Sequence, residues 1–444
     1  MPRQIRGRMT GKMKEYRSSL LRERYWEIRH RSGLPVYVFP KKLTTTYAIL
    51  ATRYGAMDTT FRTGSGGFVT VPDGVAHFLE HKLFENPDGS DSFAKFSVWG
   101  ADANAYTTAN RTAFLFSCTG HFTESLTELL TFVTTPYFTP ETVRKEQGII
   151  AEEIRMYDDS PWDRCFQNLM EAMYVRCGIR RNICGSVRSI AEITDRLLYD
   201  CYHTFYQLSN MALVVCGDVT PEEVLAVCDT VLPHECRDTP IEREEPEEPE
   251  AVGSALREAR MQVAKPIFTV GIKDPVLPVD PVARARRSAA MDLLDEVLFS
   301  RAGAFYSGLF EQGLITTSYS YSYSGTDRCA FHTVCGEGDD PRAIAERMYA
   351  YIEQVAETGV DADEFERRRR VLYADELQSY DSTEEIANNL LSYLFDGADL
   401  FGQPALLQDI KRDEVNALLP SLLRRECWCL SAVYPLEETK GEEK

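Results

Sequence analysis

The stretch VAHFLEHKLFE, residues 75–85, places two of the chain's seven histidines four residues apart. It looks like a helix, in which residues four apart lie one above the other, so the rings of His77 and His81 would project to the same side. Two such imidazoles can hold one Zn²⁺ ion with bonds of about 2.0–2.1 Å. Glu80 borders this face but is offset from the two rings, so its carboxylate can take a proton from a water at the open coordination position. The alternative is a pair of structural histidines beside an exposed glutamate.

A catalytic zinc site needs three protein ligands and one open position, so the sequence should supply a third ligand. The candidate segment is RKEQGIIAEEIRMYDDSP, residues 144–161, which predicts a helix. Glu146 and Glu153 are seven residues apart and therefore lie on nearly the same helix face, whereas Glu152 is turned away by about 100°. A carboxylate from this helix could complete a set of two histidines and one glutamate. Taken alone, however, a glutamate on an acidic helix is most often a solvated charge.

The chain has 444 residues, which predicts two or more domains. Its clearest boundary is IEREEPEEPEAVG, residues 241–253, with six glutamates and two prolines. Charge repulsion and the fixed dihedral angles of proline predict an extended linker there. We therefore expect one domain over residues 1–240 and a second over residues 254–444.

Both halves show the same order of predicted elements: a strand, a helix, two alternating strands, several helices and a closing strand. The closing strands are MALVVCGDV, residues 211–219, and WCLSAVYP, residues 428–435. This order predicts a duplicated α+β unit. The second copy of the motif-bearing helix, AAMDLLDEVL at residues 289–298, contains no histidine. Any metal chemistry is therefore expected in the first half.

Composition narrows the class of protein. The net charge of −19 argues against a nucleic-acid partner. No stretch approaches the roughly 18 apolar residues of a membrane span, and no targeting segment is visible. The twelve cysteines include no CxxC pair and several lie in apolar runs, so we expect reduced, buried thiols in a cytoplasmic protein. Residues 1–30 are basic with interspersed glutamates, and we predict a solvated arm leading into the first strand.

Taken together, the motifs resemble those of the insulinase/pitrilysin-type metallopeptidases, called inverzincins after the inverted zinc motif HxxEH. The resemblance rests on HFLEH, GADANAYTTANRTAFLFSC, EQGIIAEEIRMYDDSP and FYQLSNMALVVCGDV, which follow one another over most of residues 34–220. It continues more weakly through the second half, and the chain is most similar to the small two-domain bacterial cytoplasmic members. The resemblance implies an α+β fold of two homologous domains, each a mostly antiparallel sheet packed with helices, as in mitochondrial processing peptidase.

The resemblance also implies roles for individual residues. His77 and His81 match the metal ligands, and Glu80 matches the general base of a zinc endopeptidase. The third ligand of the family is the second glutamate of the EE pair, here Glu153. Glu146 matches a supporting glutamate, which is expected to accept a ring N–H from a ligand histidine and fix its tautomer. The implied substrates are short or unfolded peptides, because the second domain of family members covers the site.

The segment NAYTT, residues 104–108, resembles the substrate strand of the family. Asn104 and Ala105 match the family's Asn-Ala pair, whose Asn can hydrogen-bond the substrate backbone. An edge strand leaves backbone groups free to pair with an extended peptide. The alternative is an edge strand that begins with a turn-favouring asparagine.

One departure from the family leaves a second function open. Phe310 and Thr316 stand where many members carry an Arg and a Tyr that clasp the substrate. Tyr319, Tyr321 and Tyr323 share one strand face and could substitute, although a half-buried aromatic face is the simpler interpretation. The chain could therefore be a partner or inactive subunit of a two-chain peptidase or of a peptide-binding complex. Its expected partners are a peptide substrate and, as alternatives left open, a second copy or a related chain in a dimer.

Overall fold

The computed structural model describes residues 8–10 and 13–437 of the chain. These residues divide into two compact units, each built from three separate chain segments. Unit 1 takes in the chain up to Ile154 together with Asn182–Glu244 and Glu376–Gly402. Unit 2 takes in Arg155–Arg181, Glu245–Asp375 and the chain from Gln403 onward.

The described strands are β1 (Arg8–Thr10), β2 (Met13–Ser18), β3 (Glu23–Arg29), β4 (Pro35–Pro40), β5 (Thr46–Thr52), β6 (Thr60–Thr63), β7 (Val69–Thr70), β8 (Asp102–Thr107), β9 (Thr112–Cys118), β10 (Met211–Gly217), β11 (Ile241–Arg243), β12 (Leu256–Met261), β13 (Ile267–Asp274), β14 (Ile315–Gly325), β15 (Ala330–Gly338) and β16 (Trp428–Pro435). The described α-helices are α1 (Val75–Leu83), α2 (Ser92–Val98), α3 (Phe122–Thr134), α4 (Pro140–Asp159), α5 (Pro161–Met173), α6 (Val187–Ile190), α7 (Asp195–Phe205), α8 (Pro221–Val231), α9 (Pro281–Phe299), α10 (Ala304–Glu311), α11 (Pro341–Thr358), α12 (Ala362–Gln378), α13 (Thr383–Asp396), α14 (Gln403–Asp409), α15 (Arg412–Asn416) and α16 (Leu419–Leu422). None of these helices combines the length and the apolar character needed to cross a membrane.

The two units repeat one sheet topology. The main sheet of unit 1 has the strand order β1-β2-β3-β4-β10-β5-β9-β8, and that of unit 2 has the order β12-β16-β13-β15-β14. In unit 1 only the pair β4–β10 is parallel, and in unit 2 only the pair β12–β16 is parallel. The last five strands of the first sheet therefore match the second sheet in order and direction. The predicted α+β fold of two homologous, mostly antiparallel domains is confirmed.

Both central strands are buried along their whole length, because helices cover both faces of each sheet. In unit 1, Ala48 and Leu50 of β5 face the core that includes α1 and α3. Tyr47 and Ile49, on the other face, pack with apolar residues of α13. The alternation along a strand thus divides the side chains of β5 between two cores.

The second sheet receives its covering helices in the same way. Val270 of β13 lies in the core formed with α9 and α11, whereas Leu169 and Met173 of α5 pack across Gly271 on the opposite face. Helix α5 therefore belongs to unit 2 although it lies in the first half of the chain. Likewise, α13 belongs to unit 1 although it lies in the second half. The positions of these two helices differ from the predicted domain bounds of 1–240 and 254–444. An amphipathic sequence shows that one face of a helix is buried, but it does not show which sheet buries that face.

The acidic segment 241–253 contains one of the points at which the chain passes from unit 1 to unit 2, between Glu244 and Glu245. It is anchored by pairing and does not run free. Its first residues form β11, which pairs with β6. The carboxylate of Glu248 accepts hydrogen bonds from the backbone N–H groups of residues 175–177 and from Lys273 Nζ at 2.6 Å. We expected the carboxylates of this segment to repel one another, but that of Glu248 is held by hydrogen bonds.

The predicted solvated arm over residues 1–30 is wrong for β2 and β3. Both strands belong to the eight-stranded sheet, and Tyr25 and Ile28 of β3 are buried. Tyr16 of β2 stacks on Tyr25 with ring centroids 4.7 Å apart. The sequence did not reveal these buried residues, because they stand among many Arg and Lys residues. Residues 1–7 and 11–12 of the predicted arm lie outside the described residues.

Candidate metal centre

Helices α1 and α4 of unit 1 bring His77, His81 and Glu153 together. Nε2 of His81 lies 3.4 Å from Oε2 of Glu153, and Nε2 of His77 lies 3.7 Å from Oε1. One donor atom from each residue lies within 4.8 Å of the other two, and the described residues contain no second group of this kind. Ligand atoms around a tetrahedral zinc ion stand about 3.3–3.4 Å apart, given bonds of about 2.0–2.1 Å. The two separations between histidine and carboxylate are close to this spacing, and two imidazoles with one carboxylate are suitable zinc ligands.

The start of α1 is set by two glycines that allow a close backbone approach. Gly74 caps α1 with φ +94°, and a Cβ there would lie 2.5 Å from the carbonyl oxygen of Cys184. Gly185 has φ +76°, and its Cβ would lie 2.4 Å from the carbonyl oxygen of Asp73. Only glycine fits both positions without displacing the neighbouring backbone. This contact places the thiol sulfur of Cys184 3.9 Å from Nε2 of His77.

Glu146 lies two turns before Glu153 on α4 and accepts a hydrogen bond from the other nitrogen of His81. Its Oε1 is 3.0 Å from Nδ1 of His81. Because Nδ1 is the donor in this bond, the neutral form of the ring carries its lone pair on Nε2, on the side of Glu153. The structure therefore places Glu146 where the family resemblance implied a supporting glutamate.

The two rings differ in their electrostatic surroundings. Burial lowers the pKa of His77, and the charge on His81 lowers it further. Burial would also lower the pKa of His81, but its hydrogen bond to Glu146 and the nearby carboxylate of Glu153 outweigh this and raise its pKa well above the ordinary value. The two carboxylates next to His81 therefore favour a proton on this ring when no metal is bound. A bound cation has to displace that proton, because only a neutral imidazole is a ligand.

Glu80 lies next to the three donors but is not one of them. Its side chain is almost fully buried, and Oε2 accepts a hydrogen bond of 2.5 Å from the hydroxyl of Thr107. Burial raises the pKa of Glu80, and the hydrogen bond from Thr107 opposes the increase. A buried carboxylate that is offset from the ligand set has the position required of a general base.

Strand β8 forms one edge of the eight-stranded sheet beside this cluster. The exposed Asn104 folds its side chain back, and its Oδ1 accepts the N–H of Ala105 at 2.8 Å. Both residues line a cleft of about 430 Å³ that also includes Glu80 and His81. The apolar wall of the cleft comes from Phe84 and Phe93, whose rings stack at 4.0 Å. The cleft therefore joins the candidate metal site to a free strand edge.

The corresponding helix of unit 2 carries no comparable donor set. Helix α9 occupies the place in unit 2 that α1 occupies in unit 1, between the central strand and the following hairpin. Asp295 on α9 pairs with Nδ1 of His332 at 2.7 Å, and Glu296 pairs with Tyr321 and Arg368. Two of the acidic groups of this helix, Asp295 and Glu296, are thus partnered within unit 2. The geometry agrees with the expectation that metal chemistry belongs to the first half.

The residues at the departure from the family pattern have local contacts within unit 2. The ring of Phe310 stacks on Tyr306 at 5.5 Å, and the hydroxyl of Thr316 donates to Glu337 at 3.0 Å. The three tyrosine hydroxyls of β14 also have acceptors there: the carbonyl of Phe299, the carboxylate of Glu296 and the carboxylate of Asp274. These contacts favour the half-buried aromatic face over a role for the tyrosines in binding substrate.

Sequence reasoning missed two residues of the site, Thr107 and Cys184. Thr107 belongs to the quoted NAYTT segment, but nothing in the pattern distinguished its hydroxyl from that of Thr108. Cys184 stands in no motif, and its approach to His77 depends on the glycine contact between two distant loops. To find Thr107, one would have needed the pairing register of β8 and β9. To find Cys184, one would have needed the structure of its loop.

Two family models match the chain. The model described as "Insulinase (Peptidase family M16)" matches residues 62–185, which include His77, His81 and Glu153. The model described as "Peptidase M16 inactive domain" matches residues 192–372. The two matches fall in the order of the two homologous halves, and the half that contains the cluster matches the insulinase model.

Individual relatives agree with these matches. The chain is 38% identical over 419 residues to "Uncharacterized zinc protease YmfH" of Bacillus subtilis, covering 94% of this chain and 97% of that protein. It is 27% identical over 165 residues to "Probable zinc protease PqqL" of Escherichia coli, covering 35% of this chain and 18% of that protein. An M16-like peptidase from Alicyclobacillus acidocaldarius has a similar structure, with a TM-score of 0.88 and 35% identity, covering 92% of this chain and 98% of that one. The chain therefore belongs to the M16 peptidase family, the insulinase family.

Proposed function

We propose that the chain is a zinc-dependent endopeptidase that hydrolyses short or unfolded peptides. The observation that carries this proposal is the convergence of His77, His81 and Glu153, with Glu80 beside them and a free strand edge alongside. Relatives named as zinc proteases support it, including one that matches almost the whole chain.

The ligand set would be Nε2 of His77, Nε2 of His81 and the carboxylate of Glu153. Two imidazoles and one carboxylate suit Zn²⁺, although such sites also accept other divalent ions. When bound, the ion polarises the scissile carbonyl and lowers the pKa of a bound water toward 7. Glu146 keeps the ring of His81 in the tautomer and orientation that this role requires.

Glu80 moves the protons of the reaction. It takes a proton from the attacking water as the new carbon–oxygen bond forms, and it then delivers that proton to the departing amine nitrogen as the carbon–nitrogen bond breaks. Its buried position beside His81 keeps it near the reacting atoms without making it a ligand. The carboxylate returns to its ionised form after each cycle, so no further reactant is needed.

Strand β8 would hold the substrate. A peptide that lies along this edge in extended form can hydrogen-bond to the backbone groups that β9 does not use. To do so it displaces the Asn104 side chain from the N–H of Ala105, and the freed amide can then bond to the peptide backbone. A substrate side chain next to the cut bond can enter the cleft lined by Phe84 and Phe93. Only an extended chain can make these contacts, so folded proteins are poor substrates.

The test is hydrolysis of a quenched peptide library by the zinc-loaded wild type and by Glu80→Gln. We expect the variant to retain one zinc per chain and to lose hydrolysis, because glutamine cannot accept the proton. Glu152→Gln provides a control with the same chemical change at an exposed position of α4. Cleavage by Glu80→Gln at the wild-type rate would show that Glu80 is not the base.

A second candidate function is that of a partner subunit in a two-chain peptidase or peptide-binding complex. It is favoured by Phe310 and Thr316 at the places where many family members carry an Arg and a Tyr. On this alternative the purified chain binds zinc but turns over no peptide until a related chain is added. Turnover by the chain alone, whether as a monomer or a homodimer in sedimentation analysis, would exclude it.

We also propose that the protein acts in the cytoplasm. The twelve cysteines all lie among the described residues, and of these only Cys236 is exposed. Such a set of thiols suits a reducing compartment. Fractionation of cells that express the full chain tests this, and recovery mainly outside the cytoplasmic fraction would contradict it.

A further inference from the structure

Thr107 links the substrate strand to the proposed base. It is the last residue of β8, three positions after Asn104, and its hydroxyl lies 2.5 Å from Oε2 of Glu80. A threonine hydroxyl has one proton to donate, and an ionised carboxylate can only accept. The short distance is typical of a hydrogen bond from a hydroxyl to a charged oxygen.

The surroundings of Thr107 leave its proton for Glu80. Thr107 pairs with Thr112 across the hairpin of β8 and β9, and the two hydroxyl oxygens are 3.3 Å apart. Thr112 is fully buried, and its own hydroxyl donates to the carbonyl oxygen of Tyr54 at 2.9 Å. Because the proton of Thr112 is used there, Thr112 can offer Thr107 only an acceptor. Glu80 is the nearer and the charged acceptor, so Thr107 donates to it.

The backbone around Thr107 is held in place by a neighbouring loop. The N–H groups of Ala56 and Met57 donate to the carbonyl oxygens of Thr108 and Ala109, both at 2.9 Å. Gly55 allows this approach, because a Cβ at that position would lie 2.4 Å from the backbone nitrogen of Asn110. The end of the hairpin, next to Thr107, is therefore held against this loop of unit 1.

We propose that Thr107 is a positioning residue that orients the carboxylate of Glu80 for proton transfer. This inference rests on the proposed peptidase function. The hydroxyl occupies Oε2 and leaves Oε1 to take the proton of the attacking water. Since Thr107 lies on the same strand as Asn104 and Ala105, the hydrogen bond also fixes the base relative to the strand that would hold the peptide.

Thr107→Val and Thr107→Ser test the inference, because valine keeps the shape without the hydroxyl and serine keeps the hydroxyl. Misorientation of a catalytic group by about 1 Å can cost on the order of 100-fold in rate. We therefore expect Thr107→Val to lower kcat by about 10- to 100-fold with KM and zinc content near the wild-type values. Thr107→Ser should restore most of kcat. Thr60→Val, the same change on a strand of unit 1 away from the site, should leave kcat unchanged.

Crystal structures of the two variants give a readout that does not depend on activity. The carboxylate of Glu80 should leave its wild-type position in Thr107→Val and keep it in Thr107→Ser. A wild-type kcat in Thr107→Val would overturn the inference, as would equal losses in the valine and serine variants. If Thr107→Val does not fold, Thr107→Ala takes its place in the comparison with serine. A wild-type protein that hydrolyses no peptide would refute the proposed function itself, which separates the two failures.

Discussion

Replacing Glu146 with glutamine should weaken zinc binding without removing a ligand. Glu146 accepts the Nδ1 proton of His81 at 3.0 Å, and its side chain is only 13% exposed. A hydrogen bond to a charged group in such a position contributes about 1.5–3 kcal/mol. Loss of a carboxylate that supports a metal-bound histidine typically lowers metal affinity by about 10- to 100-fold, equivalent to about 1.4–2.8 kcal/mol. The two figures agree, so we expect a loss in this range near pH 8.

The pH dependence of this loss has a defined sign. Glu146 and Glu153 raise the pKa of His81 against the lowering effect of burial, so protons compete with the metal for this ring in the wild type. Glu146→Gln removes one of the two carboxylates and therefore lowers the pKa of His81. Proton competition then weakens more in the variant than in the wild type. The ratio of wild-type to variant affinity should accordingly shrink as the pH falls.

The assay is competition with a chromophoric chelator at several pH values, for the wild type, Glu146→Gln and Glu152→Gln. Glu152 lies on the same helix and is exposed, so its variant carries the same change in net charge away from His81. Calorimetry in buffers of different ionisation enthalpy reports the protons released on binding. Equal zinc affinities of Glu146→Gln and Glu152→Gln would contradict the role of Glu146, and so would zinc binding to the wild type without release of a proton.

Three further predictions concern the ligand set and the stability of unit 1. Glu153→Gln should lose most bound zinc on dialysis, and a full equivalent in metal analysis would contradict its role as a ligand. Gly55→Ala should lower the melting temperature through a destabilisation of about 1–3 kcal/mol, because the added Cβ meets backbone atoms of residues 109–110 at 2.4–2.6 Å. Gly148→Ala lies in α4, where the added Cβ meets no atom within 4 Å outside its own helix backbone, so this variant should be more stable by about 0.5–1 kcal/mol. Equal shifts in melting temperature for the two variants would show that the backbone contact at Gly55 has no effect. Burial raises the pKa of Glu376 to about 7, so its ionisation destabilises the folded chain as the pH rises from about 4.5 through 7. Glu376→Gln should therefore raise the melting temperature relative to the wild type at pH 8 but not at pH 4, and the same difference at both would contradict this.

Features that depend on the spacing within one element were predictable from the sequence. The projection of His77 and His81 follows from the helical repeat, and so does the alignment of Glu146 with Glu153. The family resemblance then favoured Glu153 over Glu152 as the third ligand. In the structure, the carboxylate of Glu153 faces both histidine rings. The duplicated order of elements also reappears, as two sheets of matching topology.

Features that depend on long-range partners were not predictable. The apolar faces of α5 and α13 show that each helix is covered, but the sheet that covers them lies in the other half of the chain. The charged residues of β2 and β3 give this segment the composition of a solvated arm. In β3, only Tyr25 and Ile28 are fully buried, so the strand has few apolar residues that would reveal it in the sequence. The hydrogen bond from Thr107 to Glu80 needs both the hairpin register and the docking of α1 on β8, and neither is encoded in a local pattern.

X-ray absorption at the zinc edge of the metal-loaded protein tests the central claim most directly. We expect one zinc per chain, surrounded by nitrogen and oxygen atoms at about 2.0–2.1 Å, with the outer scattering of two imidazole rings. In His81→Ala, the scattering from one of the two imidazole rings should be lost, which would identify His81 as a zinc ligand. A sulfur neighbour at about 2.3 Å would instead assign Cys184 to the metal, and scattering from fewer than two imidazoles would remove the shared site of His77 and His81.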